Sequence, residues 1–430
     1  MRAADTAHCP PAFGTSPPGD PIQAFGDLGQ HWFESAAECW SVAAHGVHDW
    51  LGSLIRRGAT PLDAGIDLAR WIELVSERRR PRWAHPNRVV LETPVARLRD
   101  FSDRGARGVV PTLVVPPQAG HDSCIVDYSP RQSQLQVLKA AGLRRLWSLD
   151  WVGAGRKTRD ASIEDYLEAI DRSVERIGAG RLNLVGDCQG GWLATVWAAL
   201  HPERINTLTI AGAPIDFHAG EPVIHDYVEA LTPIDLAFYR AMVALGGGVM
   251  KGDWMVGGFI TIRPESEIEK QIGLLANLDD DQHVERYRTF EDWFKYAQDI
   301  PGAFYLWIVE HLFLHNRLAR GTLEIGGQHV DLGRIDAPVL LLAGAKDHIT
   351  PADQVYALAE HVSTPKRRVR TRMTSGGHLG LFMGGEALRE HWPPLMAEVY
   401  AHSRPGGRRP QAARRARAAT PRAARAIPSP

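Results

Sequence analysis

Residues 182–194 read Leu-Asn-Leu-Val-Gly-Asp-Cys-Gln-Gly-Gly-Trp-Leu-Ala, and no other stretch restricts the fold as much. An apolar run, Leu182 to Val185, stops at Gly186, and a helix-forming stretch from Gly191 to Leu200 begins almost at once. Cys188 stands at the corner. A strand that turns sharply into a helix around a nucleophile needs small neighbours, because the helix packs close to the strand it leaves; Gly186, Gly190 and Gly191 supply them. A helix N-terminus favours a thiolate and offers free backbone N–H groups to an oxyanion. A lone cysteine is otherwise a small buried hydrophobe. The glycine frame and the preceding strand favour the nucleophile.

Such an elbow needs a base and an orienting acid, which α/β-hydrolase chains place later in the order nucleophile, acid, His. Pro338 to Ala345 reads as a buried strand and ends in Lys346-Asp347-His348-Ile349-Thr350-Pro351. An acid at the carboxyl end of a parallel strand points into the crevice where such sheets bind ligands. A second strand, Arg367 to Met373, leads to Thr374-Ser375-Gly376-Gly377-His378-Leu379-Gly380. Cys188, Asp347 and His378 therefore form the expected catalytic set, the imidazole taking the thiol proton and the carboxylate fixing its tautomer. His348 is expected to face the other way. One oxyanion donor is the N–H of Gln189; the other comes from the loop after Thr112–Val115, at Gln118 or Ala119. His311 and His315 have metal-like spacing but no positioned carboxylate, so no metal is assigned.

The expected organisation has six parts. Residues 1–28, rich in Pro and Gly, read as a flexible arm, and 29–85 as a helical extension with patterns over 29–57 and 63–79. Its Trp32, Phe33, Trp40, Trp50, Leu51, Leu54 and Ile55 are expected to be core rather than partner-facing. Residues 86–215 begin the α/β core, with strands near 89–94 and 108–116. Its helix near 162–178 puts Ile163, Tyr166, Leu167, Ile170, Val174 and Ile177 on one face behind a Ser162/Asp165 capping box. Residues 216–333 lose the strand rhythm and read as an inserted, mainly helical cap, with the glycine-rich stretch 245–260 as a mobile lid. Residues 334–403 complete the core.

Residues 404–430 hold eight of the chain's 49 Lys and Arg and none of its 50 Asp and Glu. They read as a disordered basic tail, open to an anionic partner. Four cysteines spread over 430 residues suit a reducing cytoplasm better than a disulfide framework. No apolar stretch is long enough for a membrane span, and the first residues lack a signal-peptide core.

The runs Gly186-Asp-Cys-Gln-Gly-Gly191, Lys346 to Pro351 and Gly376-Gly-His-Leu-Gly-Leu381 resemble the polyhydroxyalkanoate synthases. Leu149 to Trp151, Ile163 to Leu167, Asn316 to Leu323 and Val330 to Ile335 add to the likeness, which covers roughly 110–400. The resemblance implies an α/β-hydrolase fold with a Cys-His-Asp triad and no cofactor, taking a 3-hydroxyacyl-coenzyme A to a polyester through a cysteine acyl-enzyme. It leaves open a homodimer or a second synthase subunit, and a place in the cytoplasm or on a polymer granule. Pro116 to His121 and Ala211 to Asp216 lean toward the related intracellular depolymerases, which leaves hydrolysis by the same triad as the alternative. The Arg-rich run 366–372 reads as a strand with a wet face that would suit coenzyme A phosphates.

Overall fold

The computed structural model describes residues 21–220, 228 and 236–404, with side chains from Ser35 onward. Eight strands form one sheet: β1 (Arg88–Glu92), β2 (Ala96–Asp100), β3 (Thr112–Val115), β4 (Leu146–Trp151), β5 (Leu182–Asp187), β6 (Ile205–Ala211), β7 (Val339–Gly344) and β8 (Val369–Thr374). They lie in the order β1-β2-β4-β3-β5-β6-β7-β8. The pairings of β2 with β1 and β4 are antiparallel, and all the others are parallel. This is the α/β-hydrolase fold. The β2 strand has no apolar run to announce it in the sequence. It forms because β4 offers an edge and because Ala96 and Leu98 alone need to be buried.

Among the described residues the α-helices of seven residues or more are α1 (Pro21–Arg57), α2 (Pro61–Ser76), α3 (Gln134–Ala140), α4 (Ile163–Ile177), α5 (Gln189–Leu200), α6 (Ala237–Leu245), α7 (Gly252–Ile262), α8 (Pro264–Ala276), α9 (Asp281–Phe294), α10 (Gly302–Ile308) and α11 (Trp392–Ser403). Parallel neighbours need crossovers, and these cover both faces of the sheet. Strand residues alternate between two cores. Leu113, Leu184 and Leu341 face the core that includes α4 and α5, while Val114, Val185 and Leu340 face the one that includes α3 and α11. The α4 helix buries all six apolar residues expected of it. At its start Asp165 accepts from the Ser162 N–H (2.7 Å) and hydroxyl (3.2 Å). Burying side chains of this size stabilises the fold by about 1.5–3 kcal/mol each.

Between β6 and β7 lie α6 to α10. The glycine-rich stretch expected as a lid runs largely into the helix α7. The last part of the segment, including Phe304, Leu323 and Val330, packs into the sheet's core.

The N-terminal helices depart from expectation. The first begins at Pro21 rather than at 29, and the second spans Pro61–Ser76 behind a Thr60/Asp63 capping box. Trp40 (81% exposed), Ile55 (80%) and Leu51 are on the surface, not in a core; Trp32 and Phe33 lie outside the described side chains. The helix α1 packs on α8 so closely that a Cβ on Gly46 would stand 2.1 Å from Ile272. That contact spends one face of α1, and Trp50 joins Leu74, Leu274 and Tyr287 beside it. The apolar residues of the other face have nothing to pack on among the described residues.

At the foot of the sheet, buried Asn183 donates to Thr112 Oγ1 (3.1 Å) and Ser403 Oγ (2.9 Å) and accepts from Asn206 and Thr207. It ties β3, β5, β6 and α11 together far from the elbow. Replacing it by Leu strands several buried polar groups, each worth about 1–3 kcal/mol. We expect Asn183→Leu to lower the unfolding free energy in a urea titration by about 3 kcal/mol or more, with the reactivity of Cys188 in the folded fraction unchanged.

Candidate active site

Cys188 follows β5 directly and caps α5, with φ +50° and ψ −127°. A non-glycine residue reaches this region only under constraint, at a cost of about 1–3 kcal/mol. The constraint is close packing. A Cβ on Gly186 would come within 2.6 Å of the Gly191 Cα, one on Gly190 within 2.3 Å of the Pro116 carbonyl, and one on Gly191 within 2.3 Å of the Ala213 Cβ. The strand, the helix and the loop after β3 meet with no room for side chains. The Cys188 N–H donates to the Ala211 carbonyl (2.9 Å), and its own carbonyl accepts from Gly191 (2.8 Å). The corner is thereby pinned from both sides, and the thiol is left 9% exposed.

Asp347 and His378 arrive on the loops after β7 and β8. The Asp347 Oδ1 accepts from the N–H groups of Ile349 (3.0 Å) and Thr350 (2.8 Å), which fixes the carboxylate. Its Oδ2 accepts from His378 Nδ1 at 2.7 Å. Both side chains are buried. Nε2 of His378 is shut off from solvent with no hydrogen-bond partner within ordinary reach among the described residues, and Cys188 is among the groups that act on the ring. Burial by itself would lower the imidazole pKa. The charge of Asp347, then that of Cys188, outweighs burial and holds the ring well above its ordinary 6.5. The imidazolium form is favoured.

These groups open onto a cavity of about 420 Å³ walled by Trp192, Phe217, Phe259, Phe290, Trp293 and Phe382 among others. Ala119 and Gln189 line it beside Cys188. Gln189 opens α5, so no carbonyl of that helix can take its N–H. Of the two residues expected to give the second donor, Ala119 reaches the cavity. Gln118 is buried with its amide donating to the Tyr166 hydroxyl at 3.2 Å. The α9 helix and the segment after it hold this loop: Trp293 Nε1 donates to the Asp122 carbonyl (2.9 Å) and the Gln298 N–H to the Gly120 carbonyl (2.7 Å).

His348, expected to face away, lines the same cavity. It stands in the turn whose Ile349 and Thr350 N–H groups donate to Asp347, past the end of β7, where the alternation of a strand no longer sets side-chain direction. Burial, then Arg263, lowers its pKa. The Arg-rich strand does not reach the cavity; Arg370 pairs with Glu398 at the sheet's edge (2.9 Å). His311 packs edge-on against Trp307.

Two features of the wall had no sequence signal as functional parts. The His121 ring lies against Trp293 (4.8 Å), Phe294 (5.2 Å) and Phe259 (5.8 Å), and burial pushes its pKa down to about 4, so it is neutral. On the cap side, Glu267 is bonded to Lys270 and Lys295, both at 2.6 Å, and Lys270 also pairs with Glu291. Burial would raise the Glu267 pKa, but Lys270, Lys295 and Gln271 hold it at about 2. The spacings of these residues, on α8 and α9, become meaningful only once the two helices cross.

A sequence-family profile described as "Protein of unknown function (DUF3141)" matches residues 103–401. The poly(3-hydroxyalkanoate) polymerase subunit PhaC of Allochromatium vinosum is 28% identical over 278 residues, 63% of this chain and 75% of its own length. The PhaC subunit of Haloarcula marismortui is 28% identical over 290 residues, 66% of this chain but 59% of its own. An "uncharacterized protein in ackA 5′ region" of Rhizobium meliloti is 28% identical over 300 residues, 65% of this chain and 40% of its own. Among solved structures, a Paleococcus ferrophilus monoacylglycerol lipase superposes with a TM-score of 0.45 and 19% identity, covering 69% of this chain and 98% of its own. No helix among the described residues is long and apolar enough to cross a membrane.

The raised His378 pKa fixes the sign of a pH effect. A group whose pKa is higher folded than unfolded stabilises the fold fully below the unfolded value, near 6.5, and that contribution is lost as pH rises through the folded value. Asp347→Asn removes its first source. We expect this variant to titrate His378 at a lower pH by NMR, and to lose more stability near pH 6 than near pH 9.

Proposed function

The chain belongs to the family described as a protein of unknown function (DUF3141), and from that premise and the site's geometry we propose that it is an acyltransferase that polymerises 3-hydroxyacyl-coenzyme A into a polyester through an acyl-enzyme on Cys188. The observation that carries this reading is the strained Cys188, set beside a His378 charged by Asp347 and opening on an apolar cavity. The likeness to polymerase subunits in sequence supports it.

In the proposed cycle the Cys188 thiolate attacks the thioester carbonyl carbon. The carbonyl electrons move to oxygen, where the N–H groups of Gln189 and Ala119 stabilise the charge; one such donor is worth about 10²–10³ in rate. Collapse breaks the bond to coenzyme A sulfur, which takes the proton held on His378 Nε2. A hydroxyl of the monomer or growing chain then enters. His378 takes its proton as the oxygen attacks the acyl-enzyme, the bond to Cys188 sulfur breaks, and an ester is made. Asp347 stays ionised throughout and keeps Nδ1 protonated. The apolar walls suit a hydroxyacyl chain and discourage water, which separates transfer from hydrolysis. We place the reaction in the cytoplasm or at the surface of the polymer granule it builds.

The test is a paired assay of the purified protein and Cys188→Ala on 3-hydroxybutyryl-coenzyme A, following thiol release and recovering the product. Thiol release with an insoluble polyester, lowered about 10⁴-fold or more in Cys188→Ala, is the expected result. Release that yields free 3-hydroxy acid alone would make the chain a hydrolase.

A further inference from the structure

Asp187 precedes the nucleophile and has no part in the chemistry above. It is completely buried, as is Gln134 of α3, and Gln134 Nε2 donates to its Oδ1 at 3.2 Å. Two atoms are left without partners: Asp187 Oδ2 and Gln134 Oε1. They are the complementary halves of the same pair. If Asp187 is a carboxylate, both are acceptors, and two sets of lone pairs remain unsatisfied in an apolar layer. If Asp187 carries a proton on Oδ2, that O–H donates to Gln134 Oε1 and the pair closes into a ring of two hydrogen bonds. A buried polar pair is stable only when all its members are satisfied.

The surroundings agree. Among the described residues no cation acts on Asp187: burial pushes its pKa up to about 8, against the smaller opposite effect of the Gln134 amide. Of the elements that meet there, the short helix Ser123–Asp127 that packs on α3 carries Asp127, which is bonded to His85 (2.6 Å) and to Ser133 (2.7 Å), the neighbour of Gln134, and Cys124, whose buried thiol is held neutral. The elbow contributes Cys188, and the loop after β8 contributes His378, already paired with Asp347.

We propose that Asp187 is a positioning residue, kept as the neutral acid by a two-point pair with Gln134 so that no negative charge stands behind the Cys188 thiolate. The proposal rests on Cys188 being the reactive group. Side-chain charges on adjacent residues lie within about 10 Å of each other, and at an effective dielectric of about 20 two like charges at that distance disfavour each other by about tenfold or more. A carboxylate here would therefore oppose both the thiolate and the oxyanion that succeeds it. An aspartate at this place makes the elbow sensitive to alkali, since Asp187 is neutral below about pH 8 and ionised above it.

The experiment compares the full-length protein with Asp187→Asn and Gln134→Leu. Asparagine reproduces the neutral acid and can still pair with Gln134. Difference infrared spectroscopy across pH is expected to show a protonated carboxyl band in the wild type, lost with a midpoint of about 8, absent in Asp187→Asn and displaced in Gln134→Leu. The rate of Cys188 alkylation by iodoacetamide, read by peptide mass spectrometry, is expected to match in wild type and Asp187→Asn within about threefold near neutrality, and to be about tenfold or more higher in Asp187→Asn at the alkaline end. A band that neither variant moves, or alkylation profiles that superpose at every pH, would overturn the proposal. Should the band behave as expected while alkylated enzyme keeps full turnover, the acyl-enzyme reading falls and the neutral Asp187 stands.

Discussion

The strained backbone at Cys188 is the constraint on which the rest of the site depends. Its φ of +50° is unfavourable for a side chain with a Cβ, so the conformation persists only because its neighbours leave no other. Those neighbours are three glycines that let a strand, a helix and a loop approach to contact distance. The same approach puts the Gln189 N–H and the loop bearing Ala119 on the thiol's side of the sheet. Strain, nucleophile exposure and the donor pair thus have one origin in packing.

Around that corner the protein sorts its charges by layer. Asp347 accepts hydrogen bonds from two backbone N–H groups and an imidazole. Asp187, beside the nucleophile in the chain, is buried with the Gln134 amide as its side-chain partner and is neutral at neutral pH. Glu267 and Glu291 at the cap end are paired with lysines. These carboxyl groups therefore keep different company for local reasons. The cap is tied to the catalytic loop through Asp122 and Gly120, so the packing of α9 bears directly on where Ala119 sits.

How far the sequence could be read varies with the kind of signal. The face of α4 was legible because period and burial coincide over four turns. The meeting of Cys188, Asp347 and His378 could be anticipated because each sits where a strand ends beside glycines. The short strand β2 was not legible, since its pattern is shared with exposed polar segments. Trp40, Leu51 and Ile55 misled, because an apolar stripe says that a helix wants a partner but not whether the chain supplies one. His348 misled through adjacency: alternation in direction holds along a strand and fails on the tight turn that follows.

The sequence by itself determined the elbow at Cys188, the strand ends that carry Asp347 and His378 and the buried face of α4, because these follow from local period and turn residues. Tertiary structure alone decided the charge state of each group and the company it keeps. His121 became neutral and Asp187 protonated through burial by residues distant in the chain, and Gln134 met Asp187 from 53 positions away. Desolvation and long-range pairing depend on three-dimensional surroundings, and no window of sequence contains them.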